Sequence, residues 1–168
     1  MIIRISERGL GAAVNGLPSF NLRGQITQAI RATIKDAKQE GSREVKARYT
    51  ARSILSLGKI KSRTSGLSGS LTISGSRNLL KRFQIRPSAR KNPQPAGGVH
   101  ATVVRGQGGA ISKAFIAKGG LVFEREGKNR LPIRHLNTLS LPGAFKRIGD
   151  KLEGRMARQL QRRLEALM

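Results

Sequence analysis

The sequence predicts an α+β fold, a small antiparallel sheet of three to four strands packed with a long N-terminal helix and a long C-terminal helix. Three observations lead there. Apolar residues recur every three or four positions over about 21–48 and again over 141–167. Between these stretches lie short segments of alternating polarity. GlyGly pairs at 97–98, 108–109 and 119–120 separate them, and no interval is long enough for a crossover helix, which favours an antiparallel meander over βαβ units. At 168 residues the chain suits one domain with a modest core, here with a basic flexible linker at about 58–78.

Each element has its own signal. Glu7 to Leu17 is a short amphipathic piece bounded by Gly16 and Pro18. In the helix Asn21 to Arg48, capped by Asn21, one side carries Leu22, Ile26, Ala29, Ile30, Thr33, Ala37, Gly41 and Val45. Arg31, Lys35, Lys38 and Lys46 take the other side, and Asp36, Glu40 and Glu44 fall at i,i+4 spacing, suited to ion pairs. Ala37 and Gly41 would let a neighbour approach closely, and without such packing Gly41 costs the helix about 1 kcal/mol. Thr50 is placed to cap a short helix over Ile54 to Leu57, ended at Gly58. Lys59 to Arg77 mixes Ser, Thr, Gly and cations with single hydrophobes and reads as loop, or as a short exposed strand around Leu71 to Ile73.

Strands are expected over Leu79 to Arg86, stopped by Pro87, then Val99 to Arg105, Ala114 to Ala117 and Leu121 to Glu126. The acid-free RPSARKNPQPAGG joins the first two. The final helix buries Leu141, Phe145, Ile148, Leu152, Met156, Leu160, Leu164 and Leu167, with Pro142 in its first turn, and Gly149 and Gly154 weaken its interior. The expected core residues are Phe83, Val103, Phe115, Phe123, Phe145 and Leu152.

Composition narrows the function. Thirty-three Lys plus Arg stand against nine Asp plus Glu, a net charge of +24, which calls for an anionic partner. No carboxylate occurs between Glu44 and Glu124, a stretch holding 15 cations. Cysteine is absent, so disulfides, thiolate metal sites and cysteine nucleophiles are excluded. His100 and His135 are too few for a recognisable zinc centre, and no metal or cofactor is expected. No apolar run suits a signal peptide or a membrane span.

Catalytic and phosphate motifs are also missing. Glu124 and Glu126 share one strand face among Arg125, Lys128 and Arg130, which reads as salt-paired surface chemistry, and His135 has no evident catalytic partner. GQGG at 106–109 lacks Walker and dinucleotide spacing and reads as a tight turn. In EGKNR, Gly127 and Asn129 suit a chain reversal. An enzyme is therefore not expected. The cations fit a phosphate-contacting footprint, with Lys59, Lys61, Arg63, Arg86, Arg90 and Lys91 as candidate DNA backbone contacts. The helix face Arg147, Lys151, Arg155, Arg158 and Arg162 suits either phosphates or a partner's carboxylates. Five Phe, one Tyr and no Trp leave few aromatics for stacking bases, so contact with the backbone is expected.

The order RNLLKRFQIRPSAR, VHATVVRG, ISKAFIA and GLVFEREGKNRLPIRHLNTLSLPGAF resembles the minor tail protein Z family of long-tailed bacteriophages and prophages, the tail completion proteins. The matching positions are Arg82, Phe83 and Pro87, Arg105 and Gly106, Ala114 to Ile116, Phe123 and Arg125, Gly127 to Arg130, Leu131 to Ile133, and Pro142, Ala144 and Phe145. The Trp that the family's fourth strand can carry is absent, and residues 59–77 do not align. The resemblance implies a structural virion component at the head-proximal end of the tail, near the tail terminator ring. It would help the tail join a filled head and hold the leading DNA end, by occupying an interface and without turnover.

Its implied partners are tail terminator and head-tail connector proteins, copies of itself, six in that setting, and lumenal double-stranded DNA. Its implied place is the tail-neck region of the virion, reached from the host cytoplasm during assembly. Glu124, Arg125, Glu126, Lys128, Arg130, Lys151, Arg155 and Arg158 are the candidate assembly interface. The alternative is a small basic nucleic-acid-binding protein, ribosome-associated or nucleoid-type, that contacts phosphates without sequence specificity.

Overall fold

A computed structural model describes residues 1–5, 20–54, 56–87 and 97–167. It shows a mixed helix and sheet fold with small antiparallel sheets. In chain order the elements are β1 (Ile2–Ile5), α1 (Phe20–Arg48), β2 (Lys59–Ser65), β3 (Ser68–Ser74), β4 (Arg77–Leu79), β5 (Gln84–Arg86), β6 (Val99–Val104), β7 (Gln107–Ile111), β8 (Ala114–Ile116), β9 (Val122–Arg125), β10 (Ile133–His135), β11 (Asn137–Ser140), α2 (Leu141–Lys146) and α3 (Gly149–Glu165). The chain divides into two compact units. The first comprises Met1–Arg43, Lys59–Ser74 and Pro142–Met168, the second Glu44–Gly58 and Gly75–Leu141.

In the first unit, β1, β3 and β2 form an antiparallel sheet in that order. Burial alternates along β3, so that Gly69, Leu71 and Ile73 are buried while their neighbours are not. Helix α1 lies directly over Gly69. A Cβ there would sit 2.9 Å from Ile30 Cγ2 and even nearer Ile34 Cδ1, so only glycine admits this approach. Gly69→Ala is expected to destabilise the unit by about 1–3 kcal/mol through overpacking, read from the urea midpoint. An unchanged midpoint would show that α1 can lift from the strand freely.

On another part of α1, a Cβ at Gly41 would be 2.6 Å from Phe145 Cε1 and 3.1 Å from Leu152 Cδ2, which explains the helical glycine. The helices α1 and α3 run antiparallel here. Arg155 pairs with Glu40, and Arg163 reaches Asp36 at 2.5 Å and donates to buried Thr33 Oγ1 at 2.8 Å. These pairs are partly exposed and contribute about 1 kcal/mol or less each. Phe145, Leu152 and Met156 are buried, as the periodicity predicts.

This unit corrects two expectations. Residues 59–77 are not a flexible linker, because β2 pairs with β3 along its whole length, from Lys59↔Ser74 to Ser65↔Ser68, and Arg77 begins β4. The sheet that α1 covers in this unit is therefore built from that segment and β1, not from residues 79–126. The C-terminal helix is also two helices, broken at Arg147 and Ile148, immediately before the weak helix former Gly149. The expected amphipathic piece at 7–17 lies outside the described residues.

In the second unit the strands form three sheets, ordered β5-β6-β7, β10-β9-β8 and β11-β4, in place of one meander. The strand expected over 79–86 is split because Leu80 and Phe83 are both buried three residues apart, a helical spacing, and a 3₁₀ turn over Leu80–Arg82 satisfies it. Strand β7 begins within residues 106–109, where the sequence predicts a tight turn. Gly108 sits in it because a Cβ would come within 2.5 Å of Thr102 Oγ1 and 2.8 Å of His100 Cε1 on β6. Strands β10 and β11 were not expected.

The sheets β5-β6-β7 and β10-β9-β8 share one core of Leu80, Val99, Ala114, Ile116 and Val122, flanked by Ile85, Ala101, Val103, Ile111 and Leu136. Among the described residues no strand of one sheet pairs with a strand of the other. Phe83 is buried, whereas Val103, Phe115 and Phe123 are half-buried. The last two point away from the core, because Ala114, Ile116 and Val122 occupy the inward parity of β8 and β9. No helix forms over 54–57 among the described residues. The Thr50 hydroxyl instead donates to the carbonyls of Thr102 and Val103. Buried Asn78 ties the unit together, its Nδ2 donating to Leu57 O at 3.2 Å and Leu139 O at 2.9 Å while its Oδ1 accepts from Arg82.

Candidate polyanion-binding surfaces

The first surface is the open face of the β1-β3-β2 sheet. Since Gly69, Leu71 and Ile73 face α1, their register partners Thr64, Ser62 and Ile60 share that side. Lys59, Lys61 and Arg63 therefore lie on the other side, beside Ser74, Thr72 and Ser70. Strand β1 adds Arg4, opposite Ser70. All four cations are exposed, and none of the three strands contains a carboxylate. Along β2 the cations repeat about every 7 Å, on hydroxyl-bearing rows that can donate to phosphate oxygens. As β2 is an edge strand, the same charges also oppose edge-to-edge pairing with another chain. Of these residues Arg4 was not anticipated; its only signal was alternation within a four-residue strand.

Neither a family model, nor a curated protein, nor a solved structure matches this chain.

A second surface runs along α3. Lys151, Arg158 and Arg162, with Arg147 just before the helix, are exposed at spacings of four and seven residues. The three within α3 form one stripe, and Arg147 precedes it in the chain. Arg155, expected within it, is turned to Glu40 and so belongs to the α1–α3 packing.

The remaining candidates are dispersed over the second unit. Glu124 pairs with Arg134 at 2.5 Å, and the hydrogen bond to that carboxylate, then its charge, raises the Arg134 pKa. Arg125 lies with its guanidinium carbon 5.1 Å from the Phe115 ring centre. Glu126, Lys128 and Arg130 are exposed in the bends between β9 and β10, where the chain reversal was expected. Arg86 is exposed at the end of β5, and Arg90 and Lys91 lie outside the described residues. Among the described residues no three His, Asp or Glu side chains gather as a metal site, and no helix is long and apolar enough to cross a membrane.

Proposed function

We propose that this chain is a structural component of the head-proximal end of a long phage tail, completing the tail for joining to the head and touching DNA through phosphates. The open sheet face carries the DNA part of this reading. Arg4, Lys59, Lys61 and Arg63 are exposed cations without a carboxylate on their strands, and phosphate is the anion that such a sequence-blind array suits. The tail part rests on the ordered resemblance over residues 77–145. The stripe Lys151, Arg158 and Arg162, with Arg147 before it, then meets acidic surfaces of neighbouring head or tail proteins, as a chain of charge +24 requires of its partners.

Two measurements test the reading. Replacing Lys59, Lys61 and Arg63 by Gln is expected to weaken duplex DNA binding and to reduce its log–log salt slope by about 2–3 units, close to one per lost contact. An unchanged slope would remove the sheet face from the DNA path. Replacing Lys151, Arg158 and Arg162 by Gln is expected to give heads and tails that fail to join while free-DNA affinity is kept. The reverse pattern, normal joining with DNA affinity lost, favours the plain nucleic-acid-binding alternative, for which the regular spacing of the stripe is the supporting observation.

A further inference from the structure

On the open face of the β1-β3-β2 sheet, the register sets cations and hydroxyls in three cross-strand rows. Lys59 stands beside Ser74, Lys61 beside Thr72 and Ile2, and Arg63 beside Ser70 and Arg4. The other parity serves the core, since Ile3, Leu71 and Ile73 are buried. Arg4 thus lies opposite Arg63 across two strand spacings, about 10 Å, with Ser70 between them. Among the described residues no ion pair engages the four cations, and no side-chain hydrogen bond engages Ser70, Thr72 or Ser74.

This order selects the occupant. Each row offers an anion at least one cation and a neutral donor, and the rows recur about every 7 Å along β2. Successive phosphates of one nucleic-acid strand are separated by a similar distance. In the row of Arg63, Ser70 and Arg4, two guanidinium forks flank one hydroxyl, a donor set suited to the two free oxygens of a phosphodiester. An acidic peptide added as a strand beside β2 would meet the same three cations, since β2 is an edge. It would leave the hydroxyls of β3 and the distant Arg4 unused, whereas an anion lying across the face engages all of them.

We infer that this face holds three successive phosphates of one nucleic-acid strand, one on each row, with that strand running along β2. The inference rests on the phosphate reading of the proposed function and deepens it, because the face then recognises the spacing along a backbone as well as its charge. Ile2, 52% exposed at the end of the Lys61 row, offers the strand's sugars an aliphatic contact.

The test is fluorescence anisotropy on the full chain with two labelled oligothymidylates whose linkages are neutral methylphosphonates except for three. In one probe the three charged phosphates are consecutive, and in the other they alternate with neutral linkages. The wild type is expected to bind the consecutive probe about tenfold more tightly, because the interrupted run leaves the Lys61 row empty. Ser70→Ala and, separately, Thr72→Val are expected to weaken that binding about fivefold with the salt slope unchanged, and Arg4→Gln to lower the slope by about 0.7 units. Circular dichroism serves as the folding control. The same preference is expected when each probe is annealed to a fully neutral complement, and its loss there would confine the face to single strands. Equal affinity for the two single-stranded probes, a preference that survives in a Lys59, Lys61 and Arg63 to Gln variant, or hydroxyl variants without effect overturn the inference. The phosphate reading outlives that result if the triple variant still lowers the salt slope, and falls with it if the slope is unchanged.

Discussion

Phe145→Ala is expected to destabilise the first unit by about 3–5 kcal/mol. The ring is fully buried, and it lies on the bare backbone of Gly41, which has no side chain of its own to fill the space it leaves. The cavity therefore persists, which places the loss toward the upper end of that range. A double-mutant cycle sharpens the point. On the wild-type background Gly41→Ala meets Phe145 and is expected to destabilise, but on the Phe145→Ala background the same change gains about 1 kcal/mol of helix propensity. Urea denaturation followed by circular dichroism reads both, and a loss below about 1 kcal/mol for Phe145→Ala would contradict the close packing.

Gly98→Ala should disrupt the second unit by about 3 kcal/mol or more, from two sources acting together. Gly98 is buried at φ +78, and a Cβ there would press on the Ile111 carbonyl oxygen and lie 2.7 Å from Ser112 Cα. Both atoms are main chain and are held by the adjoining Val99↔Ile111 pair, so neither can yield without opening the β6–β7 ladder. Gly106 supplies the control. It has φ +76 but no atom within 4 Å of a Cβ, so Gly106→Ala carries backbone strain alone, about 1 kcal/mol. Amide exchange across β6 and β7 should accelerate strongly in the first variant and slightly in the second; equal effects would assign the whole penalty to φ.

The two long helical patterns were legible because their apolar residues are large and regularly spaced. Ile26, Ile30 and Val45 in α1, and Leu152, Met156 and Leu160 in α3, are buried as the period requires. Of the hairpin of β2 and β3, only the short strand around Leu71 to Ile73 is legible in the sequence, and it is buried on one face rather than exposed. The rest is hidden because the residue that lets α1 approach, Gly69, is by propensity a loop former. The hairpin's cations were nevertheless singled out, and pairing with β3 explains why Lys59, Lys61 and Arg63 act as one row. The error at Phe115 and Phe123 has a different origin. Alternation specifies two faces but not which is inward, and here the smaller aliphatic residues took the core. Arg155 was misplaced since a helical wheel shows no neighbours, and the Glu40 carboxylate that claims it is far away in sequence.

The discontinuous make-up of the first unit bears on how the chain is born. Its pieces come from both ends and the middle, whereas the second unit is finished once Leu141 has been made. At ribosomal speeds of about 5–20 residues per second, the segment Pro142–Met168 alone takes about 1–5 s. During that delay the side of α1 destined for Phe145 and Leu152 has no cover. A translating cell must therefore shield a greasy helix flank on a strongly cationic nascent chain, and ribosomes stalled after residue 141 should expose that flank to a chaperone that full-length product escapes.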